Sequence, residues 1–349
     1  MRSSDTIPYT DLEKNSSKKI QFWFDSVKEA QDFKYLISDL KLVSKKQKED
    51  MECILAESLQ FSKHKTKYRK GFYWKIEDID KMTTLDQIVN SSEQIPKLVG
   101  WQHQDFIISA NGLPKLTVEA TEHEITWNNV AQRIPRLIQS VNCGIPSIIF
   151  QKIGERSTEK NLGWFLQTLV NASKIYGIPC IAILFDNNSR RNAEKKLSKI
   201  MVSLLDFLWN NNKKSLEEFE KLLKEIQNEN EKDARKWYNP KKLLDAKWLE
   251  ITDYEVKVVP GVRPDASMWK TKGTGGLDPY PGLVTMADFL FCRTGPNKTD
   301  RKKSLTVKFR NIKKDFWWFK KYPTELYLQM LIDPEYRIAD KVEYMDCND

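Results

Sequence analysis

Two acidic residues stand in apolar surroundings. Asp105 opens the run DFIISA (105–110), and Glu119 lies late in KLTVEAT (115–121), with Asn111-Gly112 between the two runs. Asn-Gly flanked by apolar runs is a strong hairpin signal, so the segment predicts two adjacent antiparallel strands. On the second, Leu116 and Val118 face one side while Thr117, Glu119 and Thr121 face the other. Such a hairpin presents one carboxylate from each strand on a shared face. That arrangement suits Mg²⁺, which keeps several waters and takes one or two protein carboxylates. A cation held this way polarises a phosphate and readies a water, as phosphodiester hydrolysis requires. The alternative is that Glu119 is exposed, or ion-paired with Arg133 or Arg136 in the segment that follows.

The elements around this hairpin are legible from periodicity. Residues 127–142 read as a helix ended by Gly144 and Pro146, and PSIIFQ (146–151) as a buried strand. Leu162–Tyr176 reads as a second helix stopped by Gly177, followed by the buried strand IPCIAILF (178–185). Near-continuous apolar late strands alternating with helices imply a mixed α/β architecture, a central mixed β-sheet flanked by helices. Residues 190–236 return to helix in two stretches. Before the hairpin, Phe22, Phe24, Val27, Phe33, Leu36, Ile37 and Leu40 recur at helical spacing, predicting a helical region from Ile20 to about Gln60. The C-terminal third reads as loop-rich: TKGTGGLDPYPG (271–282) predicts irregular structure, and SLTVKF (304–309) a strand. Three regions follow: a helical one over 1–70, a core over 71–236 and a basic, aromatic-rich one over 237–349.

The order Asp105, hairpin, Glu119-Ala120-Thr121, helix, buried strand resembles the PD-(D/E)XK nuclease core shared by most type II restriction endonucleases. The likeness covers roughly residues 70–185. It implies a restriction-endonuclease-like fold and Mg²⁺-dependent, site-specific cleavage of double-stranded DNA. It also implies a homodimer with one site per strand, and a cognate DNA methyltransferase as a possible partner. Asp105 matches the first metal ligand and Glu119 the second. An additional helical carboxylate is common in that superfamily, and Glu77 is the candidate for it. Gln104 replaces the motif's proline, and Thr121 stands where the motif has lysine. Charge stabilisation or water orientation would then fall to Thr121 itself, to Lys115, Glu122 or His123, or to Gln132 or Arg133 on the next helix. Asn128, Gln132 and Arg136 share a stripe of that helix at four-residue spacing. A competing placement exists: Asp245 followed by Glu255 and Lys257 spells the motif more literally, but no helix and strand follow to complete the core.

Charge points to the partner. The chain carries 57 basic and 48 acidic residues, a net +9. Residues 298–321 alone hold ten Lys or Arg against two Asp, interleaved with Phe316, Trp317, Trp318 and Phe319. A basic strand and helix here would neutralise phosphates through Lys302, Lys303, Lys308 and Lys313. Arg293, Arg301 and Arg310 are the candidates for reading base edges, since bidentate guanine contacts favour arginine. The alternative is a solvated charged face over packed aromatics. A catalytically inactive DNA- or RNA-binding protein, consistent with the missing lysine, is the second functional reading.

Other classes are disfavoured. No apolar run approaches a membrane span, and the first residues lack the apolar stretch of a secretory signal. Five scattered cysteines and three histidines form no zinc pattern, and unpaired thiols suit the reducing cytoplasm. No GxxxxGK[ST] motif accompanies the glycines of 272–279.

Overall fold

A computed structural model describes residues 20–24, 52–55, 71–75, 78–83, 104–121, 123–241, 249–259, 279–297, 299–310 and 339–345. The described residues form a mixed α/β protein built on two sheets. The larger contains β1 (Ile20–Phe24), β2 (Glu52–Leu55), β3 (Gly71–Lys75), β4 (Asp78–Thr83), β5 (Phe106–Ala110), β6 (Leu113–Thr121), β7 (Ser147–Lys152) and β8 (Cys180–Phe185). Its strand order is β4-β3-β2-β1-β5-β6-β7-β8. β1, β5 and β6 run as an antiparallel meander, while β6, β7 and β8 are parallel. The β5–β6 turn is Asn111-Gly112, with φ of 52° and 77°, the left-handed pair that a two-residue hairpin of this twist demands.

Parallel strands require crossovers, and helices supply them. α1 (Trp127–Asn142) links β6 to β7, and α2 (Glu159–Tyr176) links β7 to β8. α2 starts where the Thr158 side chain accepts from the Asn161 amide (3.2 Å), and stops at left-handed Gly177. α3 (Arg190–Asn210) and α4 (Lys213–Trp237) cover the opposite face. Strand alternation decides the partition. Phe106, Ile108, Leu116, Val118, Ile148 and Phe150 pack with α3 and α4, whereas Ile149 and Ala182 pack with α1 and α2. The exposed edge of β8 is closed by Asn230 of α4. Its amide accepts from Ala182 N at 2.7 Å and donates to Ala182 O at 2.9 Å, so a strand edge open to pairing is capped by a side chain.

The smaller sheet has β9 (Leu249–Ile251), β10 (Glu255–Val258), β11 (Ser304–Arg310) and β12 (Lys341–Met345) in the order β12-β11-β10-β9. Leu249, Val256, Val258, Leu305 and Val307 form its apolar face and share one core with α1 and α2. α5 (Pro279–Ala287), continued by a π-helical turn at Asp288–Cys292, lies in the same core. α5 crosses α1 with almost no space between backbones: a Cβ on Gly282 would sit 1.6 Å from Ala131 O. Pro135 has no N–H, so Ala131 O is the carbonyl it leaves without its helical bond. That carbonyl and the missing side chain meet at one point.

Two expectations need correction. Residues 20–24 and 52–55 are strands of the main sheet, not helix, so the first region is part of the core sheet. Ile20, Phe22 and Phe24 fit a period of two as well as helical spacing, and pairing with β2 and β5 on either side selects the strand. The rest of 25–60 lies outside the described residues. In the third region, Pro279–Gly282 begins a helix, because Gly282 is what α1 admits there. That region's described residues form a sheet and helix sharing the core of α1 and α2. The predicted strand at 304–309 is present, while the helix expected beyond it lies outside the described residues.

Gly282→Ala is expected to lower stability by about 1–3 kcal/mol, the cost of forcing a methyl into a filled contact. Urea unfolding with an unchanged m-value would show it, whereas Gly177→Ala, where nothing lies within 4 Å, would report backbone strain alone.

Candidate functional site

The register Phe106↔Val118, continued by one residue, sets Asp105 opposite Glu119 on the face covered by α1. Both are buried: Asp105 is 6% exposed and Glu119 0%. Burial of two carboxylates costs several kcal/mol apiece unless positive charge accompanies them. α1 supplies it. Arg136 Nη1 donates to Glu119 Oε1 at 2.7 Å and lies 3.8 Å from Asp105 Oδ1. Arg133 Nε is 3.3 Å from the same Glu119 oxygen. Asp105 Oδ2 also accepts from Ala120 N at 2.5 Å, tying the acid to the partner strand. The ion-paired alternative for Glu119 is therefore the arrangement found. Burial pulls the Arg133 guanidinium below its usual range, with Glu119 opposing and Arg136 reinforcing that shift.

The two guanidinium groups lie on the outer side of the cluster. Arg136 and Arg133 side chains are 26% and 16% exposed, while the Glu119 side chain they cover is fully buried. Their helix is held in place by a polar seam beneath it. Gln104 Nε2 donates to Arg136 O at 2.6 Å and to Ser140 Oγ at 3.1 Å. Thr117 Oγ1 lies 2.9 Å from the hydroxyls of both Ser140 and Ser147. Gln104 thus fixes α1 over the site, a role that comparison with a proline motif did not reveal.

Three buried oxygens on or beside this face have no hydrogen-bond partner among the described residues: Glu119 Oε2, Gln104 Oε1 and Gln151 Oε1. Gln151 is on β7 opposite Thr121, and its amide orientation is set by donation to His123 O (2.7 Å) and Lys152 O (2.8 Å). Carboxylate and amide oxygens are of the type a hard cation takes. No group of three or more His, Cys, Asp or Glu side chains converges among the described residues, so carboxylates alone would give two ligands. Gln151 carried no signal in the sequence, since a glutamine ending an apolar strand reads as a surface residue.

The remaining expected residues divide. Thr121 is buried on the Glu119 side, and its hydroxyl accepts from His123 N at 3.2 Å. His123 is exposed and enters the cluster only through its backbone. Gln132 is in α1, its side chain outside those described, and Glu77 lies outside the described residues. In the competing placement, Asp245 lies outside them too. Glu255 accepts from Thr306 Oγ1 at 2.6 Å and pairs with Lys257 at 3.3 Å on the smaller sheet.

Two of the three base-reading candidates pair with a buried acid. Arg293 Nε lies 2.8 Å from Asp288 Oδ2, and Arg301 Nη2 lies 3.1 Å from Asp288 Oδ1. Arg301 Nη1 also reaches Asp340 Oδ2 at 2.9 Å. With side chains 7% and 5% exposed, both arginines are committed to the interior. Burial pushes the Asp288 carboxyl up, against the opposing pull of both guanidinium groups. Arg310 is on β11 opposite Met345, its side chain outside those described, and Lys313 lies outside the described residues. Lys302 is exposed, Lys303 donates to Thr252 O at 2.5 Å, and Lys308 stands opposite Glu343. The outward face of the smaller sheet thus alternates acid with base, and Lys341 pairs with Glu343 at 2.5 Å.

Comparison with protein-family models, with curated proteins and with solved structures returns no match. What stands is the class: a mixed α/β protein with a buried two-acid, two-arginine cluster. Among the described residues no helix is long and apolar enough to cross a membrane.

Asp288→Asn is expected to destabilise the fold by about 3–5 kcal/mol, because two buried guanidinium groups lose their shared counter-charge. Denaturant titration beside Lys308→Ala, expected within about 0.5 kcal/mol of wild type, separates interior ion pairing from surface charge.

Proposed function

We propose that this chain is a Mg²⁺-dependent endonuclease of the PD-(D/E)XK type, cleaving double-stranded DNA at a specific site. The observation that carries the reading is the alignment of Asp105 and Glu119 across an antiparallel hairpin that continues into a helix and a parallel strand. Ahead of the hairpin, β1 pairs antiparallel with β5. Asp105 and Glu119 would hold the cation, which when bound polarises the phosphate and lowers the pKa of a water. The polar seam through Gln104 and Ser140 holds α1 so that its arginines face the reacting centre. A homodimer would set one site against each strand. Such an enzyme would act in the cytoplasm, alongside a methyltransferase protecting the same DNA site.

A second reading is an inactive nucleic-acid-binding protein. It is favoured by one feature: two arginines already neutralise Glu119, and Thr121 is no lysine.

The test is digestion of plasmid and long phage DNA by the full chain, with Mg²⁺ or EDTA, beside Asp105→Asn and Glu119→Gln. Discrete bands that need Mg²⁺ and fall at least about 100-fold in either variant are expected. Bands that survive both and vanish in Glu255→Gln would move the site to the smaller sheet. Salt-sensitive binding with no cleavage of any DNA would establish the second reading.

A further inference from the structure

The four side chains of the cluster, Asp105, Glu119, Arg133 and Arg136, sum to zero charge when each is ionised. Resting on the nuclease reading, that balance has a consequence. Once the carboxylates hold a divalent cation, the cluster carries a surplus of two positive charges in a buried place. The surplus must be met by an anion or by expulsion of the arginines. Both guanidinium groups sit on the solvent side of the carboxylates and are tethered one turn apart on a helix pinned by Gln104. Expulsion is therefore limited to side-chain rotation, and an anion approaching the cluster meets the arginines first. A phosphodiester is that anion. Arg136 is the better placed of the two, being the more exposed and in contact with both carboxylates.

We propose that Arg136, supported by Arg133, is the phosphate-binding cation of this site, held by Glu119 and Asp105 until a divalent cation takes its place. The arginine then does from α1 what the lysine absent at position 121 would do from β6. In the metal-free protein the guanidinium is spent on carboxylates, so affinity for a phosphodiester is low there. Cation and DNA are consequently coupled, each raising affinity for the other by the same factor.

Binding can be measured without turnover. A labelled duplex pool of random sequence is titrated with the full chain by anisotropy, with Ca²⁺ or EDTA, and Ca²⁺ alone is titrated by calorimetry. Wild type is expected to bind DNA about tenfold more tightly with Ca²⁺. Arg136→Met is expected to lose that dependence while binding Ca²⁺ as well as or better than wild type, since a competitor for Glu119 has gone. Where circular dichroism shows Arg136→Met unfolded, Arg136→Lys takes its place, keeping a counter-charge without the guanidinium fork. It is expected to retain Ca²⁺ binding with reduced coupling. Full coupling in a folded Arg136 variant, or weaker Ca²⁺ binding there, overturns the proposal and leaves the metal site standing. A wild type that takes up no Ca²⁺ overturns both the proposal and the nuclease reading beneath it.

Discussion

The placement of two carboxylates in the interior governs the rest of this site. A buried acid demands a partner, and Glu119 finds two in Arg133 and Arg136 of α1. The ion pairs join the hairpin to the helix that follows it, so charge compensation and tertiary packing are one event. Such a contact is asymmetric: it adds modest net stability when whole and is costly when one partner is lost. That asymmetry explains why the polar residues nearby cluster so tightly. Gln104, Thr117, Ser140 and Ser147 form a buried seam whose hydrogen bonds hold α1 at one height on the sheet.

The same helix is fixed from its far side. Pro135 and Gly282 let α1 and α5 touch backbone to backbone, and α5 runs directly into Asp288. Asp288 gathers Arg293 and Arg301 from the segment leading into β11. The smaller sheet therefore buttresses α1 and sets the arginines over the hairpin. Two ion clusters, one at the candidate site and one beneath the smaller sheet, are linked through a single helix pair. Among the described residues each cluster keeps one buried carboxylate oxygen without a hydrogen-bond partner, Glu119 Oε2 in the first and Asp288 Oδ1 in the second.

Much of the frame was legible in residue order. The Asn111-Gly112 turn, the alternation around Glu119, the helix ended before Gly144 and the two apolar strands beyond it all fall where spacing put them. These are local signals, decided by backbone conformation within a few residues. The failures share a cause. Residues 20–24 satisfy two periods, and Arg301 lies in the basic stretch 298–321, whose net charge suggested a surface.

By itself, then, the order of residues determined where strands and helices lie around the hairpin and which two acids share a face. Only the tertiary structure decided what those acids touch. Arg136 is 17 residues from Glu119 and Asp288 is 13 from Arg301, separations at which no turn or helix period dictates contact. Whether a charged side chain ends in water or against a buried counter-charge depends on which surfaces fold over it. That is set by packing of the whole core, and composition along the chain holds no record of it.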